Sequence, residues 1–260
     1  MGEPWYQSSM SQDEPLLAYF GHHKCATQWT RSIVEGLCDR VGRHPLVFTG
    51  HDDFGDDLPG AIPDPTSTFL CYLNAERRFV RRLRIPLRAF HLVRDPRDIV
   101  VSAYFSHLHS HPLFGDLETY RQALQASPQT EGILLELERR APQFEAMLLW
   151  DYGRRDILEL RMEDVTREPE VHLRRITDFL GLGEVHGVTD TYLTKLAQKH
   201  SFDVLSGGRA PGIEDRTSHL RKGVAGDWAN HFEPVHVAYM KEHYGELLKK
   251  LGYEASDDWG

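Results

Sequence analysis

The chain has 260 residues, 40% of them hydrophobic and 27% charged, with a formal net charge of −9. That length is enough for a full hydrophobic core in one domain. The acidic balance excludes a surface devoted to nucleic acid, while leaving room for a local basic pocket.

No window reaches 18 apolar residues, so no membrane span is expected. The opening MGEPWYQSSMSQDEP lacks the basic region and apolar core of a signal peptide, and residues 1–14 read as a flexible lead. The cysteines, Cys25, Cys38 and Cys71, have no metal-ligand spacing and leave one unpaired in any disulfide scheme. Both features predict a reducing compartment, the cytoplasm.

The first element is a short buried strand, Leu16–Phe20, followed by a turn and a helix from Ala26 or Thr27 to about Val41. Trp29, Ile33 and Leu37 recur at helical spacing along it. PLVFTG (45–50) reads as a second strand running into the acidic loop HDDFGDDLPGAIPDPTS, and TFLCYLN (68–74) as a third. AERRFVRRLRIP (75–86) is a basic helix or turn that stops at Pro86, and RAFHLVRD (88–95) is a strand. In the helix that follows, Asp95 caps and Pro96 takes the first position. Residues 116–151 read as two helices broken near Ser127–Pro128, and RDILELRMEDV (155–165) as a strand. A helix closed by Gly181, another over about 188–200, a polar loop at 206–220 and a final helix from Pro234 to about Gly252 complete the chain. Strands alternating with helices predict an α/β fold, three layers around a central and mostly parallel sheet, in one domain spanning 1–260.

Three stretches carry chemistry. In GHHKCAT a strand feeds a helix through a tight turn, aiming free helix N–H groups at an anion beside the charge of Lys24. A nucleotide-triphosphate loop needs a second glycine and adjacent Lys-Thr or Lys-Ser, and neither is present, which counts against a kinase-like reading. In HLVRDPRDIVVSAY, Arg94 closes a strand and offers the bidentate fork that phosphate favours. Ser102 lies inside the next helix, which rises about 9 Å from Pro96 to it. Arg97 and Asp98 read as a solvated helix start. In RKGVAGDWAN, Arg221 and Lys222 precede Gly223, where backbone can approach an anion closely, and Trp228 can anchor the loop.

Together, and in this order, the three stretches resemble the cofactor-binding signature of the sulfotransferase family, over residues 16–250. Members of that family move a sulfuryl group from 3′-phosphoadenosine 5′-phosphosulfate (PAPS) to a hydroxyl or amine and release 3′,5′-phosphoadenosine (PAP). The resemblance implies that Lys24 contacts the transferring group and that Cys25, Ala26, Thr27 and Gln28 form the 5′-phosphate loop. It implies that Trp29 and Phe202 (in HSFDVL) flank the adenine. Arg94, Ser102, Arg221, Lys222 and Gly223 then hold the 3′-phosphate.

The pattern also departs from the family. Cys25, Ala26 and Gln28 replace loop serine, glycine and threonine, and Met162 stands where many members carry a tyrosine. The histidine that deprotonates the acceptor in many members has no counterpart in CYLNA (71–75), where Asn74 cannot take a proton. The base is therefore sought after the second strand, at His51 with Asp52 or Asp53, with His22 and His23 as further candidates. A catalytically inactive PAP-binding protein is the alternative that the missing histidine motivates, and retention of Lys24 counts against it. His107, His109 and His111 do not share one helical face, so no metal site is expected. The acceptor is expected to be a small molecule or saccharide, and the acidic 51–67 loop disfavours strongly anionic ones. The dimerisation motif common in the family is not found near the C-terminus, which leaves the oligomeric state open.

Overall fold

The computed structural model describes residues 14–260, so all but one residue of the expected flexible lead lies outside the described residues. The chain runs β1 (Leu16–Phe20), α1 (Thr27–Val41), β2 (His44–Phe48), β3 (Thr68–Tyr72), α2 (Arg77–Val80), β4 (Leu87–Val93) and α3 (Pro96–Phe105). It continues α4 (Leu117–Ala126), α5 (Gln129–Arg139), α6 (Ala141–Leu149), β5 (Ile157–Arg161), α7 (Met162–Arg167) and α8 (Pro169–Leu180). The last helices are α9 (Asp190–Lys199), α10 (Phe202–Leu205) and α11 (Pro234–Lys250).

The five strands among the described residues form one sheet in the order β2-β3-β1-β4-β5, every pair parallel. From β1 the chain goes to β2 and β3 on one side and to β4 and β5 on the other. Phe20 at the end of β1 stands opposite Tyr72 and His91. The turn after β1 thus emerges at the topological switch point, where ligands bind in open α/β sheets.

Both faces of the sheet are buried, which is why its strands read as continuous apolar runs. Tyr19, Phe69, Cys71 and Phe90 pack beneath α1, α8 and α9. Ala18, Phe20, Leu70 and Ala89 pack against Phe79, Trp150 and Leu58, the last from the acidic loop. A third cluster, including Ile99, Phe144 and Met240, joins α3, α5, α6 and α11.

Three local expectations are corrected. The middle segment holds three helices, because Pro142 has no N–H to continue the ladder and a new helix starts at Ala141. Strand β5 ends at Arg161, and Glu163 and Asp164 instead open α7, where acidic side chains favour a helix N-terminus. Arg97 and Asp98 are buried at 3% and 1% exposure. The Arg97 guanidinium pairs with Asp95 at 2.8 Å and lies 4.0 Å from the Trp228 ring. Asp98 accepts from the backbone N–H of Gly226 (2.7 Å) and Trp228 (2.9 Å). These two residues clamp the 221–230 loop onto α3.

Candidate active site

The turn after β1 is built to present amides. Lys24 and Ala26 both have left-handed backbone, with φ of 64° and 55°, a conformation that costs about 1 kcal/mol or more for a non-glycine residue. Their carbonyl neighbours are taken: Arg94 Nη1 donates to the Lys24 carbonyl (3.0 Å) and Gln143 Nε2 to that of His23 (2.8 Å). Ala26 caps α1 without a side-chain hydrogen bond, and the first turn of α1 contains no acidic residue. The leading N–H groups of a 15-residue helix therefore lack a side-chain cap and face the turn. Thr27 and Gln28 stand in that first turn, while the Cys25 side chain is fully buried and packs with Val93 and Ile99. A phosphate suits the amides of this turn, and the Cys25 side chain acts as packing beneath it.

Lys24 is half-buried, and burial followed by the nearby Arg94 pushes its pKa down to about 7. Arg140 and Arg221 act in the same direction, and Glu136 opposes them. Lys24, Arg94 and Arg221 are thus gathered around one space, although they are nearly 200 residues apart in the chain. Arg94 is 9% exposed and its Nε has no hydrogen-bond partner among the described residues. An unpartnered buried guanidinium N–H calls for an anionic acceptor.

Arg221 lies over the Phe105 ring at 4.6 Å. Phe105 follows Ser102 by three residues, so both sit on one side of α3, and Ser102 is half-buried there. Arg221 and Lys222 both pair with Asp227, whose carboxyl pKa those contacts pull far down against the cost of burial. Gly223 has φ +68°, and a Cβ there would stand 2.5 Å from the Phe202 ring. Trp29 Nε1 donates to the His200 carbonyl at 2.9 Å. Trp29, Phe202 and Gly223 therefore converge from three parts of the chain, beside the turn after β1. The fit to a nucleotide with phosphates at two positions is good.

The residues expected to supply the base are arranged differently. Asp53 turns its carboxylate back to accept from the N–H and hydroxyl of Thr49 and the N–H of Gly50, contacts that hold its pKa below the usual range. Asp52 is 96% exposed. His51 pairs with Glu76 at 3.1 Å and stacks on Phe79. Asp53 thus caps its own turn. His22 is buried and shares a 2.9 Å Nε2···Nε2 contact with His91, itself 2.6 Å from Glu159.

A group that sequence reasoning missed lies on the other side of Lys24. His23 stacks on His107 with 5.8 Å between ring centroids, and His111 packs against both. One ring nitrogen from each lies within 4.8 Å of the others. The cause is a π-helical turn over Ser106–Ser110, closed by the His111 N–H on the Ser106 carbonyl at 2.7 Å. That wider turn packs His107 against His111, with 5.3 Å between ring centroids, and leaves His109 exposed. The clustering of histidines at 107–111 was the available signal, and the pairing with His23 was not visible.

The site gathers one half-buried lysine and two arginines around the turn after β1. Comparison with known proteins then fixes the family. The model of the sulfotransferase domain matches residues 81–252. The human protein sulfotransferase 1C2 is 34% identical over 252 residues, covering 87% of this chain and 79% of that protein. Mouse sulfotransferase 2A1 is 30% identical over 173 residues, and the match spans 56% of its length. The crystal structure of mouse sulfotransferase SULT7A1 complexed with PAP shares the fold at a TM-score of 0.62 and 19% identity, covering 94% of this chain and 86% of that one. Retinol dehydratase, solved with retinol and PAP, does so at 0.52 and 17%, covering 92% and 83%. The chain belongs to the sulfotransferase family.

Proposed function

We propose that this protein transfers a sulfuryl group from PAPS to a hydroxyl or amine of a small-molecule acceptor and releases PAP, acting as one domain over its whole length. The carrying observation is the convergence of Lys24, Arg94 and Arg221 beside an amide-lined turn. PAP in the crystal structure of a mouse family member supports the same nucleotide.

When bound, PAPS supplies an activated sulfuryl group on a phosphate leaving group. The residues of this chain do the rest. The turn amides and Thr27 hold the 5′ end, and Trp29 and Phe202 enclose the base. Arg94, Ser102, Arg221, Lys222 and the Gly223 amide take the 3′-phosphate. Lys24 donates to the oxygen on which negative charge builds as the bond to sulfur breaks, an electrostatic role strengthened by its poorly solvated position. Exposed Leu113 and Phe114, the latter 5.4 Å from His111, support an acceptor with an apolar body over a saccharide. Cys25, Cys38 and Cys71 are all free and buried, which favours a reducing compartment, the cytoplasm. No helix among the described residues is long and apolar enough to cross a membrane.

Titration calorimetry with PAP, AMP and ATP tests the reading. PAP is expected to bind at least about tenfold more tightly than AMP, because one lost charge-assisted phosphate contact costs about 1.5–3 kcal/mol. Equal affinity for PAP and AMP refutes it.

A further inference from the structure

The family histidine is missing from CYLNA (71–75), and the imidazole cluster beside Lys24 is not among the nucleotide contacts proposed above. Its tautomers follow from its neighbours. Glu136 is fully buried, and its charge is kept by His107, Arg140 and Tyr120 against the cost of burial. A carboxylate only accepts, so His107 Nδ1, 2.8 Å from Glu136 Oε2, carries a proton, and in the neutral ring the lone pair is the one on Nε2. His111 Nδ1 stands 3.0 Å from the Pro112 carbonyl, which fixes the same tautomer. Arg140 Nη1 lies 2.9 Å from His23 Nδ1 and can only donate, so neutral His23 carries its proton on Nε2. The cluster therefore combines two imidazole lone pairs with one N–H, a set complementary to a hydroxyl, which both donates and accepts. A cation is a poor occupant, because Arg140 and Lys24 crowd the site with positive charge and His23 has the wrong tautomer to ligate through Nε2.

We propose that His23, His107 and His111 seat the acceptor hydroxyl, with His107, oriented by Glu136, as the general base. This rests on the sulfotransferase reading. The acceptor O–H proton passes to His107 Nε2 as its oxygen forms a bond to sulfur. The bond from sulfur to the 5′-phosphate oxygen breaks with its electron pair staying on that oxygen, where Lys24 donates. Glu136 then stabilises the imidazolium. Tyr120, whose hydroxyl donates to Glu136 at 3.0 Å, and Arg140, 2.8 Å from it, fix the carboxylate. Arg121 grips the His107 carbonyl at 2.6 Å and so holds the π-helical turn. The charged and titratable groups facing His107 are Glu136 on α5 and Arg140 just after it, Asp116 at the start of α4 with Tyr120 and Arg121 on it, and His23 and Lys24 from the turn after β1, with His111 from its own turn. The π-helical geometry, common at functional sites, is what brings His111 into the set.

The test compares full-length wild type with His107→Gln, Glu136→Gln and, as a control, His109→Ala. PAP affinity is measured by calorimetry. PAPS consumption is followed from pH 5.5 to 9 with water, 4-nitrophenol and a primary alcohol as acceptors. The histidine tautomers are read by long-range ¹H–¹⁵N NMR. His107→Gln is expected to keep PAP affinity within about twofold, to lose about 10²–10⁴-fold in kcat and to flatten the acidic limb of kcat/KM. The His109→Ala control is expected to match wild type. The NMR spectrum is expected to show His107 protonated at Nδ1 in wild type, with that signal shifted in Glu136→Gln. Retained kcat with an unchanged acidic limb in His107→Gln overturns the base, as does an Nε2–H tautomer at His107, a readout that needs no turnover. Micromolar Zn²⁺ binding that His107→Gln abolishes overturns the hydroxyl seat in favour of a metal. A wild type that does not bind PAP overturns the sulfotransferase reading instead.

Discussion

Lys24 links nucleotide binding to protons. Free, it has a pKa of about 7, depressed by burial first and by Arg94 next, so at pH 8 only about a tenth of it is charged. A phosphate docked beside it restores the ammonium. PAP binding at pH 8 is then expected to take up about 0.9 proton, and affinity to fall about tenfold per pH unit above 7 until the pKa of the complex is reached. The phosphate second pKa of about 6 keeps the ligand itself from contributing at that pH. Calorimetry in buffers of different ionisation enthalpy reads the number directly, and Lys24→Met should abolish it. The same shift appears in stability. Between about pH 7 and 10.4 the unfolded chain holds the Lys24 proton and the folded one does not, so this group makes stability rise with pH across that window. Lys24→Met should remove that rise. Uptake below about 0.2 proton at pH 8, or equal uptake in Lys24→Met, refutes the electrostatic role assigned to this lysine.

Arg94→Lys keeps the charge and loses the fork, and is expected to weaken PAP binding by about 10-fold or more while AMP binding changes little; comparing the two by calorimetry checks it. Gly223→Ala places a Cβ 2.5 Å from Phe202 at φ +68°, so thermal unfolding should reveal a loss of about 1–3 kcal/mol, with PAP affinity falling in parallel. Asp98→Ala orphans the Gly226 and Trp228 amides and is expected to cost about 2–4 kcal/mol in urea unfolding, with the 221–230 loop becoming more protease-sensitive. Asp53→Ala removes a turn cap. Its expected signature is a loss of about 1 kcal/mol in stability with kcat unchanged, and a large fall in kcat would restore this residue to catalysis.

The sequence determined what short-range physics determines. The apolar run Leu16–Phe20 had to be a strand buried on both faces, and helical periodicity with Gly181 in left-handed backbone set the end of α8. The stretches proposed to bind phosphate stood out because an anion needs a helix start, an Arg fork and a glycine approach, and each is a local pattern. Tertiary structure decided what depends on partners far away in the chain. Asp98 looked like a solvated residue because nothing nearby tells that two amides 128 and 130 residues on will bury it. Lys24 is depressed by arginines 70, 116 and 197 positions away, which no window of sequence contains. The imidazole cluster needed a π-helical turn, a buried glutamate 29 residues beyond His107 and an arginine 117 residues beyond His23. Hydrogen-bond partners set tautomers and buried charges set pKa values, and both are properties of neighbours in space, which only the packed chain supplies.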